Sequence, residues 1–473
     1  MNELNEKIKK IFPEESVFKS PKEHRIFSGY HLPSFVKDWI LKKFTNEYGN
    51  LDVDAVKLFL KTHIANKESK IKGTLINELE ETPLLSRIIV EPDIKSGILR
   101  FSIPDIGIKL DEGRIPPHAA KKYPELKGGE VWGVVKLVYI QPEGKQKGTI
   151  EIVDYKPFKP YEVDIEYFRE KRREFILEEW IDLLIRSMEY NPHGFESQSQ
   201  KLLFLSRLLV FVEPNLNIIE LAPKGTGKSY TFNNLSKYGW IISGGIVSRA
   251  KLLYDVALST PGIITRYDFV VLDEIESIKF TEPSELQGAL KNYLESGNFS
   301  VASYKGVSSA GFMILGNIPL TKDRKPIHSK YFVNLPNFFQ DSALLDRFHG
   351  FIEGWKLPRM REDLKLNGFS LNVEYFSEVL HQLRTTPDYA KVVDSLLDIP
   401  KNADTRDTRA ITKICTGYLK LLFPHVVDID DVNKNEFETF CLKPAIDMRK
   451  IIKRQISLID NEFNDTLPEI KIR

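Results

Sequence analysis

The spacing of hydrophobic residues predicts helices at the start of the chain and short strands after them. Apolar residues recur at helical spacing over 33–44 and 53–64, so residues 1–84 are predicted to form a helical N-terminal domain. From residue 85 to residue 165 the apolar runs are short and broken by Gly and Pro, as in GILRFSI and GTIEIVDY. Such runs predict a small β-rich domain, either a barrel or a sandwich.

The rest of the chain divides into an alternating part and a helical part. Strand and helix patterns alternate within residues 166–358, which predicts a parallel sheet covered by helices. Residues 359–473 carry helical patterns and almost no strand signal, so they are predicted to form a helical lid and C-terminal helices. The predicted fold class is multidomain α/β.

Composition and charge exclude some classes of protein without selecting one. The 67 basic and 66 acidic side chains nearly cancel, so net charge gives no support for a nucleic-acid partner, although a local basic patch is compatible with it. Cys415, Cys441 and the 9 histidines lack metal-binding spacing, so neither structural zinc nor a disulfide framework is expected. Without a signal peptide or a run of ~18 apolar residues, we expect a cytoplasmic protein with no membrane partner.

The stretch LAPKGTGKSY predicts a phosphate-binding loop between a buried strand and a helix. It matches the pattern G-x-x-x-x-G-K-[ST], except that Ala222 stands at the first glycine. Alanine is tolerated there if its φ angle is negative, because the position needs no side-chain contact with phosphate. Lys228 would reach the β- and γ-phosphates of ATP, and the Ser229 hydroxyl would coordinate Mg²⁺. The predicted nucleotide-binding residues are Pro223, Lys224, Gly225, Thr226, Gly227, Lys228, Ser229, Tyr230 and Asp273.

A second apolar strand, in YDFVVLDEIES, ends in two carboxylates. Asp273 is predicted to hold Mg²⁺ together with Ser229, and Glu274 is predicted to polarise the attacking water. By itself an apolar strand that ends in Asp-Glu is a weak signal, because a charged turn looks the same. Its position after the phosphate-binding loop makes the assignment strong.

Three further residues are candidates for catalysis. Asn317 ends the apolar strand in AGFMILGN and would lie between the γ-phosphate and water, although it could simply turn the chain before a proline. Arg347, in LLDRFHG, would neutralise charge in the transition state on a neighbouring subunit, the alternative being a surface arginine at a helix end. Arg409 opens a helix of the lid and is preferred to Arg406 as a second arginine that reaches the nucleotide, against a plain surface role.

The order of these residues, from Lys228 to Arg409, resembles that of the AAA+ ATPases. The segment NYLESGNFSVASYKGVSSAGFMILGN is similar to the β-hairpin that precedes the sensor strand in the branch that includes the MCM ring proteins. Its turn is expected at Lys305-Gly306. The stretches VEPNLNIIELAPKGTGKSY and LLDRFHGFIEGWKLPRM resemble the BrxL family, the Lon-related ATPases of BREX phage-defence systems.

The resemblance implies an architecture, an activity and partners. The expected fold is a AAA+ P-loop core with a helical lid, in a homo-oligomeric ring that is a hexamer or a stacked pair of hexamers. ATP would be hydrolysed between subunits, and the ring would bind double-stranded DNA without sequence preference, alongside other BREX proteins. Lys305 would face DNA phosphates in the pore, unless it is only a solvated lysine of the hairpin. The β-rich domain would form a DNA-facing collar, by analogy with the MCM rings.

The chain departs from the common form of the family, and two other functions stay open. Typical members carry a domain like the Lon protease after the lid, whereas the sequence ends at Arg473, so we expect neither that domain nor peptidase activity. The first alternative is a protein-remodelling unfoldase or adaptor without its protease, in which Tyr304 would grip polypeptide. The second is a nucleotide-gated scaffold for the assembly of BREX proteins.

Overall fold

The computed structural model describes residues 3–46, 49–64, 71–78, 82–93, 97–142, 147–257 and 259–473. The chain divides into two compact units. The first combines Met1–Pro21 with Val163–Arg473, and the second is Lys22–Glu162. The division into four domains that the sequence predicts stays a prediction.

The unit Lys22–Glu162 contains a closed five-stranded barrel, which is the first of the two architectures expected for the β-rich region. Its strands are β1 (Thr82–Asp93), β2 (Ile98–Ile103), β3 (Ile108–Ile115), β4 (Gly129–Ile140) and β5 (Thr149–Pro157), in the order β1-β2-β3-β5-β4. β3 and β5 pair in parallel, and the other neighbours are antiparallel. Alternate residues such as Phe101, Val135 and Ile152 point inward and are fully buried, because side chains of a strand alternate between its two faces.

Two of the helices of this unit lie on the predicted amphipathic runs, and two others do not. They are Ser34–Lys43 and Val53–His63, followed by Ile71–Glu78 and by Pro117–Lys122 between β3 and β4. The carboxylate of Asp52 caps Val53–His63 by accepting a hydrogen bond from the Ala55 N–H at 2.9 Å.

The other unit is built on a parallel sheet of five strands, β6 (Asn217–Ala222), β7 (Gly239–Val247), β8 (Phe269–Phe280), β11 (Gly311–Asn317) and β12 (Gly350–Glu353). Their order in the sheet is β12-β6-β11-β8-β7. An antiparallel hairpin of β9 (Asn298–Val301) and β10 (Tyr304–Val307) precedes β11. All six residues of β6 are buried, as expected for a strand covered on both faces. The carboxyl ends of β6, β8 and β11 lie at one edge of the sheet.

The helices of this unit cover the sheet and form most of the C-terminal part, as the sequence predicts. Their bounds are Glu3–Ile11, Ile165–Arg172, Leu177–Ser187, Gln198–Leu205, Leu209–Val212, Lys228–Asn234, Arg249–Leu252, Pro283–Ser296, Ser342–Leu345, Val373–Thr385, Asp388–Leu396, Thr405–Leu422, Lys434–Phe437 and Lys443–Ser457. The strand Leu397–Asp398 pairs with Lys471–Ile472 beside these helices.

The first residues of the chain pack within this unit. The strand Ser16–Lys19 pairs antiparallel with Gly368–Leu371. The Asn5 side-chain oxygen accepts hydrogen bonds from Arg186 at 2.6 Å and from the Phe369 N–H at 3.0 Å. Residues far apart in sequence are thereby joined, which hydrophobic periodicity cannot reveal.

A membrane-spanning helix was not expected. Among the residues that the structure describes, none of the helices combines the length and the apolar composition that crossing a bilayer requires.

Candidate nucleotide-binding site

The phosphate-binding loop follows β6 directly and leads into the helix Lys228–Asn234. Ala222 is fully buried and is absent from the described residues with positive φ, so the condition for alanine at this position is met. A Cβ atom added to Gly354 would lie 2.4 Å from the Ala222 Cβ. Because Gly354 has no side chain, there is room beside it for the Ala222 methyl group.

Two glycines give the loop its shape. Gly225 has φ +86° and Gly227 has φ +73°, angles that residues with a side chain rarely adopt. An added Cβ at Gly225 would meet no atom within 4 Å, whereas one at Gly227 would lie 1.8 Å from the Tyr190 hydroxyl. The first glycine thus borders open space that a ligand can enter, and the second lets Tyr190 pack against the loop.

A fully buried ion pair supports the loop from beneath. The Arg207 guanidinium donates to both Glu220 carboxylate oxygens, at 2.6 and 3.0 Å, and both side chains have no solvent exposure. Its third contact is a 3.0 Å hydrogen bond to the carbonyl oxygen of Thr226. Arg207 therefore connects β6 to the phosphate-binding loop. Sequence reasoning missed this pair, although a glutamate inside the apolar run NIIEL was a signal of it.

Lys228 and Asn317 are in contact beside the loop. Because Asn317 is the register partner of Ala222, the end of β11 lies beside the loop. The Lys228 ammonium donates to the Asn317 side-chain oxygen at 3.0 Å, and the Asn317 amide donates to the Glu276 carboxylate. Glu276 was not among the predicted residues. Its position two residues after Glu274 was the available signal.

The charge of Lys228 is surrounded by acidic groups. Lys228 is only 8% exposed, and this burial lowers the pKa of its ammonium group below the usual value. Glu220, Asp273 and Glu276 act in the opposite direction and favour the charged form. The site therefore holds a cation that a phosphate group can neutralise more fully than the amide of Asn317 does.

The two carboxylates at the end of β8 differ in placement. Asp273 is buried, and its carboxylate accepts the N–H of Glu274 at 2.9 Å. Glu274 is exposed and has φ +50°, and it is not among the acidic groups that act on Lys228. Asp273 thus joins the cluster around Lys228, whereas Glu274 lies at a left-handed turn of the strand.

Ser229 and Tyr230 begin the helix that follows the loop. Ser229 is partly exposed, as a residue that binds a metal from solvent has to be. The Tyr230 hydroxyl donates to Glu189, whose other carboxylate oxygen lies 3.4 Å from the Lys19 ammonium. Tyr230 therefore links the helix to neighbouring segments. Donors and acceptors of the kinds that ATP and Mg²⁺ require are present in this arrangement.

The arginines predicted to act on the nucleotide form a second group. Arg347 and Arg406 both contact the Glu295 carboxylate, at 3.1 and 3.0 Å, and Arg409 donates to the Glu295 carbonyl oxygen. Among the described residues none of these three arginines contacts the phosphate-binding loop. The prediction for Arg409 stays untested, but the structure places it beside Arg347.

Buried Arg449 holds this second group together. It donates to the carbonyl oxygens of Asp346 and Phe348 at 2.9 and 2.8 Å, and to the Asp407 carboxylate at 2.8 Å. Asp346 and Phe348 flank Arg347, and Asp407 lies on the helix Thr405–Leu422. Arg449 was not predicted, because a buried arginine within a helical pattern has no sequence signature.

The hairpin before β11 turns at a different place from the one predicted. Val301 pairs with Tyr304, so the turn is Ala302-Ser303 rather than Lys305-Gly306. Ala302 adopts φ +52°, as the first central residue of a tight hairpin turn requires. Gly306 lies in β10 because Phe299 packs over it, 2.3 Å from an added Cβ. Lys305 is exposed, two residues from the turn.

Tyr304 is engaged by a neighbouring residue. Its ring stacks on that of Tyr254, with centroids 3.8 Å apart and an interplanar angle of 6°. Tyr254 belongs to a short hairpin in which Tyr254–Asp255 pairs with Thr260–Pro261. Stacking of this kind holds Tyr304 against the protein rather than in solvent.

Comparisons with known proteins agree with the site. Residues 150–469 match the family described as "Lon-like protease BrxL-like, ATPase domain", and residues 10–139 match "BREX system Lon protease-like protein BrxL N-terminal". The chain is 27% identical over 446 residues to the Lon-like protease BrxL of Escherichia coli O9:H4 (strain HS), covering 92% of this chain and 62% of that protein. It is 29% identical over 474 residues to the Lon-like protease BrxL of Bacillus cereus (strain H3081.97), covering 98% of this chain and 68% of that protein. The chain thus spans about two thirds of the length of these curated relatives.

Removing one member of the Arg207–Glu220 pair is expected to destabilise the protein strongly. Arg207→Met or Glu220→Leu alone leaves a buried charge without its partner, which costs ~3–5 kcal/mol, whereas the double variant R207M/E220L recovers most of that loss. The double variant should nevertheless bind ATP more weakly than the wild type, because Thr226 has lost its donor. Urea unfolding and ATP titrations measure the two effects, and single variants as stable as the wild type would contradict the role of the pair.

Proposed function

Because the chain belongs to the BrxL family, we propose that it is a AAA+ ATPase that assembles into a ring and acts on double-stranded DNA in BREX-type phage defence. The observation that carries the proposal is the buried Lys228 ammonium at the phosphate-binding loop, bonded to Asn317 and close to Asp273. This combination provides a cation for phosphates, a polar amide near the reacting phosphate and a carboxylate for a metal ion.

Each part of the site has a proposed task. The backbone of residues 223–227 and the Lys228 ammonium hold the β- and γ-phosphates of ATP, and the Ser229 hydroxyl and the Asp273 carboxylate hold Mg²⁺. Bound Mg²⁺ neutralises charge that develops on the phosphates. Glu274 accepts the proton of the attacking water. Glu276 keeps the Asn317 amide oriented, since it accepts a hydrogen bond from it.

The arginine group supports catalysis between subunits. Arg347, Arg406 and Arg409 contact Glu295 rather than the loop of their own chain. A γ-phosphate on a neighbouring subunit offers Arg347 a stronger anionic partner than one shared carboxylate does. We therefore place ATP at the boundary between two copies of the chain, which requires a closed ring or a helical array.

The hairpin favours DNA over polypeptide as the partner in the pore. Lys305 is exposed. With the hairpin placed in the pore, a ring would bring one such cation from each subunit to its axis. Tyr304, which an unfoldase would use to grip polypeptide, is stacked on Tyr254. The barrel β1–β5 fits a DNA-facing collar, because some five-stranded β-barrels bind oligonucleotides in other proteins. Other BREX proteins are the further partners that the family suggests.

The proposed hydrolysis is tested by three substitutions that should fail differently. Lys228→Ala should weaken ATP binding by ~10-fold or more, because it deletes a charged hydrogen bond to phosphate. Glu274→Gln should bind ATP normally but hydrolyse it ~10²-fold or more slowly, because only proton acceptance is lost. Glu276→Gln is the matched control, since glutamine still accepts a hydrogen bond from Asn317, and its rate should fall by less than ~10-fold. ATP affinity and phosphate release are measured for each variant.

Two results would contradict this assignment. Hydrolysis at the wild-type rate by Glu274→Gln would exclude Glu274 as the base. Loss of hydrolysis in Glu276→Gln alone would move the base to Glu276.

The proposed contact with DNA is tested through Lys305. Binding should weaken steeply with salt and depend little on sequence, because each neutralised phosphate releases counterions. Lys305→Ala should lower the affinity and flatten the salt dependence, Lys305→Glu should do so more strongly, and Tyr304→Ala should matter less. Lys391→Glu, at an exposed lysine of the helix Asp388–Leu396, is the control of equal charge change. An unchanged affinity and salt slope in Lys305→Glu would remove this residue from the interface, and dominance of Tyr304 would favour the unfoldase.

A further inference from the structure

A cationic cleft opens beside the phosphate-binding loop. Its volume is about 800 Å³, and its lining includes Pro223 of the loop and Asn317 at the end of β11. Within the part of the chain that the structure describes, the lining contains no carboxylate. Its cationic members are Lys224, Lys322, Arg324, Arg359 and Arg361.

Backbone hydrogen bonds fix the segment that carries two of these arginines. The N–H of Met360 donates to the carbonyl oxygen of Gly225 at 2.8 Å, so Arg359 and Arg361 flank a residue that is bonded to the loop itself. The Arg324 guanidinium donates to the Leu357 carbonyl oxygen at 2.8 Å. Hydrogen bonds to backbone carbonyl oxygens therefore hold Arg324 and the segment of Arg359 and Arg361 in place next to the loop.

Only one of the five cations has a carboxylate partner among the described residues. Arg361 forms an ion pair with Asp363 at 3.0 Å, and Arg324 is bonded to carbonyl oxygens. Lys224, Lys322 and Arg359 have neither a hydrogen bond nor an ion pair among the described residues. Like charges collected in one cleft repel one another, and they attract a ligand with several negative charges.

We propose that Arg359 contacts the terminal phosphate of the nucleotide bound by its own chain, so that this cleft distinguishes a nucleoside triphosphate from a diphosphate. The inference rests on the proposed ATPase function. The cleft begins at Asn317, the partner of Lys228, and therefore adjoins the position of the γ-phosphate. Arg409, which sequence reasoning assigned to the nucleotide, is hydrogen-bonded to Glu295 instead. Arg359 lines the cleft that begins at Asn317 and has no ion pair among the described residues, so its charge is available to a phosphate beside Lys228.

Binding of a non-hydrolysable ATP analogue and of ADP, both with Mg²⁺, tests the proposal by calorimetry. Arg359→Gln should weaken the ATP analogue by ~10-fold or more and change ADP by less than ~2-fold, because ADP lacks the phosphate that Arg359 contacts. The affinity of Arg359→Lys for the ATP analogue should lie between those of the wild type and Arg359→Gln, since lysine keeps the charge but not the planar guanidinium with its paired N–H donors. Lys325→Gln is the control, because Lys325 is exposed on the same loop as Lys322 but does not line the cleft.

The outcomes separate this inference from the function on which it rests. If the wild type binds both nucleotides and Arg359→Gln weakens both equally or neither, Arg359 does not recognise the terminal phosphate. If the wild type binds neither nucleotide, the proposed ATPase function fails and the inference fails with it. Retained binding of ADP by Arg359→Gln also shows that the variant is folded.

Discussion

The burial of one lysine ammonium at the edge of a parallel sheet is the constraint on which the rest of the ATPase unit depends. A charge removed from water is costly unless nearby groups compensate it. Lys228 has a hydrogen bond to Asn317 and three carboxylates around it, Glu220, Asp273 and Glu276. Glu220 is in turn paired with Arg207, which also bonds the loop at Thr226. Arg207 therefore both pairs with a carboxylate near Lys228 and holds the backbone of the loop in place.

This arrangement accounts for the proposed exchange of partners at the site. In the structure, the amide of Asn317 joins the lysine to Glu276, and Glu295 holds the arginine group of the same chain. Phosphate groups are better partners for both sets of cations than a neutral amide or a shared carboxylate. Lys228 and the arginine group on Glu295 do not contact each other among the described residues. In the proposed ring, each nucleotide therefore binds Lys228 of one copy of the chain and Arg347 of a second copy.

Sequence patterns predicted the parts of the fold that depend on periodicity and on local chemistry. The parallel sheet, a small β-rich domain and the helices Ser34–Lys43 and Val53–His63 follow from apolar spacing, which did not decide between a barrel and a sandwich. The hydrogen bond between Lys228 and Asn317 was not predicted. Arg207 and Arg449 were missed, because a buried arginine is positioned by partners distant in sequence. The hairpin turn was misplaced, since Lys305-Gly306 has turn chemistry whereas Ala302 adopts the positive φ. The packing of Phe299 over Gly306 decided between them, and only tertiary structure contains that contact.

In the proposed ring, ATP lies at the phosphate-binding loop of one subunit, and Arg347 of the next subunit completes the site. An electron cryomicroscopy structure of the protein with Mg²⁺ and a non-hydrolysable ATP analogue tests this arrangement. We expect phosphates along residues 223–229, with Lys228 turned from Asn317 towards them. Arg347 of an adjacent subunit should lie at hydrogen-bond distance from the γ-phosphate. Nucleotide bound elsewhere, or bound at the loop while every Arg347 stays on Glu295 of its own chain, would contradict it.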